Sequence, residues 1–311
     1  MKRGHFELLT LLGMVVSILT VVFLFVDKFD LLNSNYSLVI TAIVSVLMTT
    51  YMSFIFKTLN KNATPLRAFV IGQPRAGKTV YLSVLFDELQ RLSNSNVSFQ
   101  QYGSDTVERV NENMETLSSG KWVPSTHVNT AFYYRARASV GKGFFQSKYT
   151  LEVGDYAGEH IDEFDTASDM WLHKSEYFKY ALSSDALVFC IDGEVLKSKN
   201  KEKIQSSQTM LIGAFQMLLS EKTKAAHERL NIPIALVVLK SDLFQSHQEI
   251  DRSMSEYYSR LTDVMKKQST IFKSFYVSSV GEVSVSGLPP RNLKPKSVTE
   301  PMLWILNNTK L

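Results

Sequence analysis

Eight consecutive residues, 72–79, read Gly-Gln-Pro-Arg-Ala-Gly-Lys-Thr and match the whole pattern G-x-x-x-x-G-K-[ST]. An apolar run, 68–71, precedes this segment, and a helix-like stretch, 80–86, follows it. Between a strand and a helix, the backbone N–H groups of such a loop converge on phosphate oxygens. The lysine neutralises those oxygens, and the threonine hydroxyl can ligate Mg²⁺. The segment therefore predicts a binding site for a nucleoside triphosphate with Mg²⁺.

Three shorter motifs with polar side chains follow apolar runs farther along the chain. A D-x-x-G motif occupies 155–158, Leu-Lys-Ser-Asp occupies 239–242 and Ser-Ser-Val occupies 278–280. Each of these motifs alone occurs by chance in many proteins. Ligands of open α/β sheets bind beyond the carboxyl ends of the strands, so three motifs in such positions are expected to surround one site.

Hydrophobic periodicity predicts the strands and helices that position these motifs. Apolar or alternating runs predict strands at 67–72, 130–139, 145–153, 186–191, 234–239 and 275–277. Helical spacing predicts helices at 79–92, 106–117, 200–229, 249–267 and 301–307. The second and third strands flank a Gly-Lys-Gly turn and are expected to form an antiparallel hairpin. The predicted fold class is α/β, with a mostly parallel sheet, one antiparallel strand and covering helices.

A hairpin between the phosphate loop and the D-x-x-G motif, followed by the other two motifs in this order, resembles the Ras-like arrangement of P-loop GTPases of the TRAFAC class. The resemblance covers residues 66–311. Within it, the segment 120–126, Gly-Lys-Trp-Val-Pro-Ser-Thr, resembles the W-P-x-x-T element of bacterial double-GTPase (DO-GTPase) domains, and the acidic motif continues as D-x-x-G-E, as it does there. Such domains are frequently encoded beside conflict and defence genes, which suggests, by analogy alone, a role in an antiphage system.

The resemblance implies a role for each matching residue in binding GTP or GDP with Mg²⁺. Phosphoryl transfer depends mainly on positioning and on charge neutralisation. The implied catalytic residues are Lys78, Thr126, Gly158, Glu159 and His160. The implied nucleotide-binding residues are Gly72, Arg75, Ala76, Gly77, Lys78, Thr79, Val80, Lys240, Asp242, Ser278, Ser279 and Val280. The implied Mg²⁺ ligands are Thr79, Thr126 and, through water, Asp155.

The sequence departs from the GTPase pattern in these motifs. Leu239 stands where an Asn or Thr braces the phosphate loop, which weakens the prediction of guanine selectivity although Asp242 is present. Glu159 replaces the usual water-orienting Gln, with His160 beside it. Either side chain could orient or deprotonate the attacking water, or both are solvated switch residues. Arg75 could stabilise phosphate charge in cis or simply face solvent.

Two uncharged runs near the N-terminus, 8–26 and 31–56, contain nineteen and twenty-six residues. At about 1.5 Å per helical residue, either run can cross a hydrocarbon core about 30 Å thick. A signal peptide would have a shorter apolar region and a small-residue cleavage pattern, and buried core helices would not explain two such runs before the first strand. The predicted organisation is a transmembrane hairpin at 1–57 with spans at about 6–26 and 36–56, a linker at 58–65 and a GTPase domain at 66–311.

Basic residues flank both outer ends of the predicted hairpin, at Lys2, Arg3, Lys57, Lys61 and Arg67. The connecting loop has one Lys against two Asp. The positive-inside rule then places both ends in the cytoplasm. We therefore predict a multi-pass protein of the inner (cytoplasmic) membrane, with its GTPase domain in the cytoplasm.

The composition argues against two other classes of function. The net charge of +4 is modest and not concentrated in one stripe, so no nucleic-acid partner is expected. Cys190, the only cysteine, lies in an apolar run, which predicts a buried strand residue rather than a reactive thiol. A single cysteine also excludes an internal disulfide.

Together these features predict a membrane-anchored switch that binds GTP and hydrolyses it slowly. A switch implies a protein effector, which the sequence does not identify, and is compatible with a homo-oligomer. Two alternatives remain open. A membrane ATPase of the KAP type would end its acidic strand in two consecutive acids, whereas Asp155 and Asp192 are single. A nucleotide-binding scaffold with little hydrolysis would be consistent with Glu159 in place of Gln.

Overall fold

The computed structural model of the chain describes Ile18, Thr50 and residues 63–92, 97–124, 131–141, 146–156, 176–223, 228–284 and 287–309. Apart from Ile18 and Thr50, the predicted membrane spans lie outside these ranges. In the described parts of the chain, no helix is both long enough and apolar enough to cross a bilayer. The chain divides into two compact units, one made of Met1–Asn62 with Lys142–Gln146 and the other of Ala63–Gly141 with Ser147–Leu311. All elements named below belong to the second unit.

The described residues of this unit form alternating strands and helices. The strands are β1 (Thr64–Gly72), β2 (Val97–Gln101), β3 (Ala131–Val140), β4 (Ser147–Tyr156), β5 (Ala186–Asp192), β6 (Leu230–Leu239) and β7 (Ser269–Tyr276). The helices are α1 (Lys78–Arg91), α2 (Ser104–Ser118), α3 (Glu176–Ser183), α4 (Gly193–Ser198), α5 (Lys201–Lys222), α6 (His247–Tyr257), α7 (Ser259–Gln268) and α8 (Glu300–Asn308).

The strands form one sheet in the order β2-β3-β4-β1-β5-β6-β7. β1 pairs in parallel with β4 and β5, and β6 pairs in parallel with β5 and β7. β3 runs antiparallel to both of its neighbours, β2 and β4. The prediction of an α/β fold with a mostly parallel sheet and one antiparallel strand is confirmed. The carboxyl ends of β1, β4, β5, β6 and β7 meet at the same edge of this sheet.

The central strands are buried on both faces, because successive side chains of a strand point to opposite sides of the sheet. In β5, the even-numbered residues from 186 to 190 face one core cluster, and the odd-numbered residues from 187 to 191 face the other. Side chains of α1, α2 and α8 complete the first cluster, and those of α3, α4, α5, α6 and α7 complete the second. Burial on both faces explains the near-continuous apolar runs that predict these strands.

Several features of the fold differ from the prediction. The edge strand β2 and the short helices α3 and α4 were not predicted, because elements of five, eight and six residues give too few apolar positions for a recognisable period. The prediction of one helix over 249–267 is wrong, since the buried Tyr258 separates α6 from α7 and has a non-helical φ of −120°. β1 begins at Thr64, within the predicted linker.

Candidate functional site

The predicted phosphate loop joins the end of β1 to the start of α1. Gly72 closes β1 where it runs beside β5, and a Cβ at this position would lie 2.8 Å from the backbone oxygen of Cys190. No other residue fits there without movement of the backbone. Gly77 precedes α1 with a φ of +94°, a left-handed conformation that costs other residues about 1–2 kcal/mol. Both glycines of the motif are therefore needed for the path of the loop.

Lys78, the first residue of α1, folds back over the loop. Its side chain is buried, and its ammonium donates hydrogen bonds to the backbone oxygens of Gly72 and Gln73, both at 2.8 Å. The first turn of α1 contains no acidic residue, and no side chain caps it. The lysine charge therefore adds to the positive end of the helix dipole, without an acidic group of that turn to neutralise it. This combination suits the binding of a phosphate group.

The other predicted loop residues differ in exposure. Ala76 is buried, whereas Thr79 and Val80 are partly buried at the start of α1. Arg75, at the tip of the loop, is exposed and has a left-handed φ of 60°. It lines an open cleft of about 680 Å³ between the loop and the α4–α5 region. This position favours the interpretation of Arg75 as a solvent-facing residue.

Asp155 lies near the end of β4, in register with Phe132 of β3, and is only 2% exposed. Because β4 is the neighbour of β1, the carboxylate lies at the same edge of the sheet as the phosphate loop. Burial raises the pKa of the Cys190 thiol to about 12, the charge of Lys78 opposes this rise, and the charge of Asp155 adds to it. Lys78 and Asp155 thus both lie near this thiol. Cys190 is a buried strand residue, as predicted, and its raised pKa keeps the thiol protonated near neutral pH.

Four of the predicted site residues, Thr126, Gly158, Glu159 and His160, lie outside the described residues. Their roles stay predictions. The segment that leads to Thr126 is described as far as residue 124. In it, the indole N–H of the half-exposed Trp122 donates to the backbone oxygen of Gly287 at 2.8 Å.

The motifs predicted to bind the base come together at the ends of β6 and β7. The Ser278 hydroxyl donates to the Asp242 carboxylate at 2.5 Å and accepts from the Gly281 N–H at 3.1 Å. Lys240 has a left-handed φ of 55°, and a Cβ built on Gly77 would lie 3.9 Å from its Cε. The lysine stem therefore runs beside the phosphate loop. Ser279 and Val280 are buried, and the Val280 backbone oxygen accepts from the Lys294 N–H at 3.0 Å.

Asp192 also belongs to this site, although none of the sequence motifs contains it. It ends β5 in register with Leu239, and its Oδ1 accepts the N–H of Glu194, which caps α4. The Lys240 ammonium contacts Asp192 Oδ1 at 2.9 Å and Glu194 Oε2 at 3.0 Å. Burial raises the pKa of Asp192, and the adjacent Lys240 opposes that rise.

These contacts bear on the missing Asn or Thr at position 239. The Leu239 side chain is 2% exposed and belongs to the first core cluster, so it cannot brace the loop through a polar contact. The neighbouring strand supplies a carboxylate, Asp192, that contacts the Lys240 ammonium, and the Lys240 stem lies beside Gly77 of the phosphate loop. The only sequence signal for this contact is the single acid Asp192, followed by Gly-Glu, at the end of the apolar run that forms β5.

Comparison with known proteins identifies the family. The sequence profile described as Double-GTPase 2 matches residues 69–292, from β1 to the segment before α8. The chain belongs to the double-GTPase 2 family. This membership confirms the resemblance to P-loop GTPases that the motifs gave. The match does not include residues 1–68, so the membrane spans of this double-GTPase protein remain a prediction.

The other comparisons add little about this double-GTPase protein. The chain is similar to a structure of the small GTPase Arl6 (BBS3) from Trypanosoma brucei with the bound nucleotide analogue GppNp. The similarity covers 79% of this chain and 98% of the Arl6 chain. The sequence identity is 13% and the TM-score is 0.41, and so distant a similarity supports neither a ligand nor a mechanism. A search of curated proteins gave no match.

Proposed function

We propose that this double-GTPase protein binds GTP with Mg²⁺, hydrolyses it slowly and acts as a nucleotide-dependent switch. One observation carries the proposal. The buried Lys78 ammonium is held by two loop oxygens at the positive end of α1, in a chain of the double-GTPase 2 family. A second group of contacts, between Asp242, Ser278 and Lys240, lies where the guanine base would bind in this proposal.

The residues at the loop suit a bound Mg²⁺. This ion prefers oxygen ligands, keeps several waters and is commonly held by one or two protein groups and the phosphates. Thr79 offers a hydroxyl at the start of α1, Thr126 a second hydroxyl, and the buried Asp155 a carboxylate for water-mediated contact. When bound, the ion would neutralise charge that develops on the phosphates. Lys78 would stabilise the β- and γ-phosphate oxygens, and the Gly158 N–H would donate to the γ-phosphate.

Slow hydrolysis rests on Glu159 and His160. In this proposal, one of them orients the attacking water, and neither supplies the amide of the usual Gln. The KAP-type ATPase alternative is disfavoured by the contacts of Asp192. This acid caps α4 and contacts Lys240, so both of its oxygens already have partners on the protein. A scaffold that binds nucleotide without hydrolysing it differs from the proposed switch only in turnover.

Purified full-length protein in detergent tests the proposal directly. We expect binding of GTP and GDP that exceeds binding of ATP, and a slow single-turnover hydrolysis of GTP that requires Mg²⁺. Tight, Mg²⁺-dependent GTP binding without any single-turnover hydrolysis would support the scaffold. Equal affinity for ATP and GTP would contradict the proposal and favour an ATPase.

We further propose that the protein is anchored in the inner membrane by the hairpin at 1–57, with its GTPase domain in the cytoplasm. A reporter fused after Leu311 should then be cytoplasmic, and one inserted within 27–35 should face outside. Deletion of residues 1–60 should release a soluble protein that retains nucleotide affinity. Membrane retention of this truncated protein would contradict a simple anchor. An effector protein and an antiphage role belong to the same proposal, and the neighbouring genes and a phage challenge would test them.

A further inference from the structure

Ser83 lies one turn after Thr79 on α1, and its buried hydroxyl makes three hydrogen bonds. Its hydroxyl donates to the backbone oxygen of Thr79 at 2.9 Å. The Asn113 side-chain amide, from α2, donates to the Ser83 hydroxyl at 2.8 Å. The Tyr134 hydroxyl, from β3, lies 3.2 Å from the same oxygen. Ser83 and Tyr134 are both fully buried, and Asn113 is 5% exposed. Three separate elements therefore meet directly behind Thr79.

The directions of these hydrogen bonds follow from the chemistry of the groups. A serine hydroxyl has one proton and two acceptor positions. The Ser83 proton points at the Thr79 oxygen, so Ser83 must accept from both Asn113 and Tyr134. Burial raises the pKa of Tyr134 well above its ordinary value, so this hydroxyl keeps its proton at any physiological pH. Both donors thus orient Ser83 towards Thr79, and the three bonds use the full capacity of its hydroxyl.

The same network lies next to Asp155. Tyr134 is two residues from Phe132, whose register partner on β4 is Asp155, and the charge of Asp155 adds to the rise in the pKa of Tyr134. On α2, Arg109 is one turn before Asn113, and its guanidinium lies 5.6 Å from the centre of the Phe132 ring. The positive charge of Arg109 and its hydrogen bond to the Tyr134 hydroxyl oppose the rise in pKa.

We infer that Tyr134 and Asn113 are positioning residues for the Mg²⁺–phosphate site, which they order through the contact of Ser83 with Thr79. This inference rests on the proposed function, in which Thr79 and Asp155 serve the metal. The hydroxyl of Tyr134 and the amide of Asn113 fix Ser83, and Ser83 fixes the backbone of Thr79 relative to Asp155. The helix that carries Asn113 therefore contacts the turn of α1 that begins at Thr79.

A purely structural role makes different predictions. Ser hydroxyls often bond to the backbone oxygen four residues earlier, and a buried network of this kind stabilises any fold when it is satisfied. Loss of the network would then lower the thermal stability and reduce the affinity for every nucleotide to the same degree. A positioning role predicts a selective loss, because diphosphate binding without metal depends on the loop amides and Lys78 rather than on the Thr79 hydroxyl.

The test uses full-length Tyr134→Phe, which removes one hydroxyl and retains the ring. The Mg²⁺ concentration for half-maximal binding of a non-hydrolysable GTP analogue should rise about threefold to tenfold, the range expected for one net hydrogen bond. GDP affinity in excess chelator should stay within twofold of wild type. Asn113→Leu, which removes a different donor to the same oxygen, should shift the Mg²⁺ dependence in the same direction.

Tyr149→Phe is the matched control. Its hydroxyl donates to the backbone oxygen of Leu306 at 3.1 Å, so the variant also loses one buried tyrosine hydrogen bond, but to α8. It should lower the melting temperature to a similar extent without changing the Mg²⁺ dependence.

The outcomes separate this inference from the proposed function. Unchanged Mg²⁺ dependence in both Tyr134→Phe and Asn113→Leu, with normal Mg²⁺ dependence in wild type, would overturn the inference alone. An equal shift in Tyr149→Phe would also overturn it. Wild-type protein without Mg²⁺-dependent triphosphate binding would overturn the proposed function and the inference together.

Discussion

Lys78→Ala should abolish measurable binding of GTP while the domain stays folded. The buried ammonium donates to two loop oxygens at 2.8 Å, and in the proposed complex it would also donate to β- and γ-phosphate oxygens. A charge-assisted hydrogen bond contributes about 1.5–3 kcal/mol, and two such bonds to phosphate correspond to a loss of at least a hundredfold in affinity. Isothermal titration with a non-hydrolysable GTP analogue and Mg²⁺ measures this loss.

Lys222→Ala is a matched control for this experiment. The Lys222 ammonium also donates to two backbone oxygens, those of Leu182 at 2.6 Å and Ser184 at 2.8 Å, but it joins α5 to the end of α3. Its loss should lower the melting temperature and leave GTP affinity within twofold of wild type. Normal GTP binding by Lys78→Ala would make the loop a structural turn and would remove the basis of the proposed function.

The parts of the fold that sequence predicted are those determined by local pattern. The central strands are near-continuous apolar runs, because side chains on both faces of β5 and β6 enter a core cluster. The phosphate loop is equally local, since its eight consecutive residues and the adjoining strand and helix determine it. The edge strand β2 shows the opposite case. It is short and largely polar on its outer side, and among the described strands it pairs only with β3.

The parts of the site that sequence did not predict depend on contacts between distant residues. Lys240 and Asp192 are 48 positions apart, and Ser83 and Tyr134 are 51 positions apart. No periodicity in a single sequence reports such pairs. Position 239 illustrates the consequence, because the motif has no polar residue there, whereas in the folded chain Asp192 on the adjacent strand contacts Lys240 beside the phosphate loop.

The buried charges at the site also limit how it can be altered. The Lys240 ammonium forms ion pairs with two carboxylates, those of Asp192 and Glu194. Burial lowers the pKa of Lys240, but the attraction of these two carboxylates exceeds that effect and raises the pKa. Asp192 is buried whereas Lys240 is partly exposed, and removal of Lys240 would leave the buried carboxylate without its cation, which is generally more costly than the pair is worth. For the base-binding residues, the most informative substitutions therefore keep the shape of the side chain and remove a single charge or a single proton.

Asp242→Asn should move nucleotide preference from GTP towards xanthosine triphosphate. In wild type, the carboxylate accepts from the Ser278 hydroxyl and, having about four acceptor positions, can also accept from guanine N1 and N2. Adenine offers no donors there, and an unmade hydrogen bond to a charged group costs about 1.5–3 kcal/mol. Two such bonds imply a preference for GTP over ATP on the order of a hundredfold. An asparagine amide would instead donate to the carbonyl of xanthine.

Competition binding with GTP, ATP and xanthosine triphosphate measures this change of preference. Asp251→Asn is a suitable control. The Asp251 carboxylate also accepts a hydrogen bond from a hydroxyl, that of Tyr276, but it lies on α6 rather than beside the base-binding motif. It should leave the order of preference unchanged. The absence of Asn at position 239 should weaken binding of all nucleotides through a looser phosphate loop without reversing their order. Equal binding of ATP and GTP by wild type would instead show that Asp242 does not contact the base.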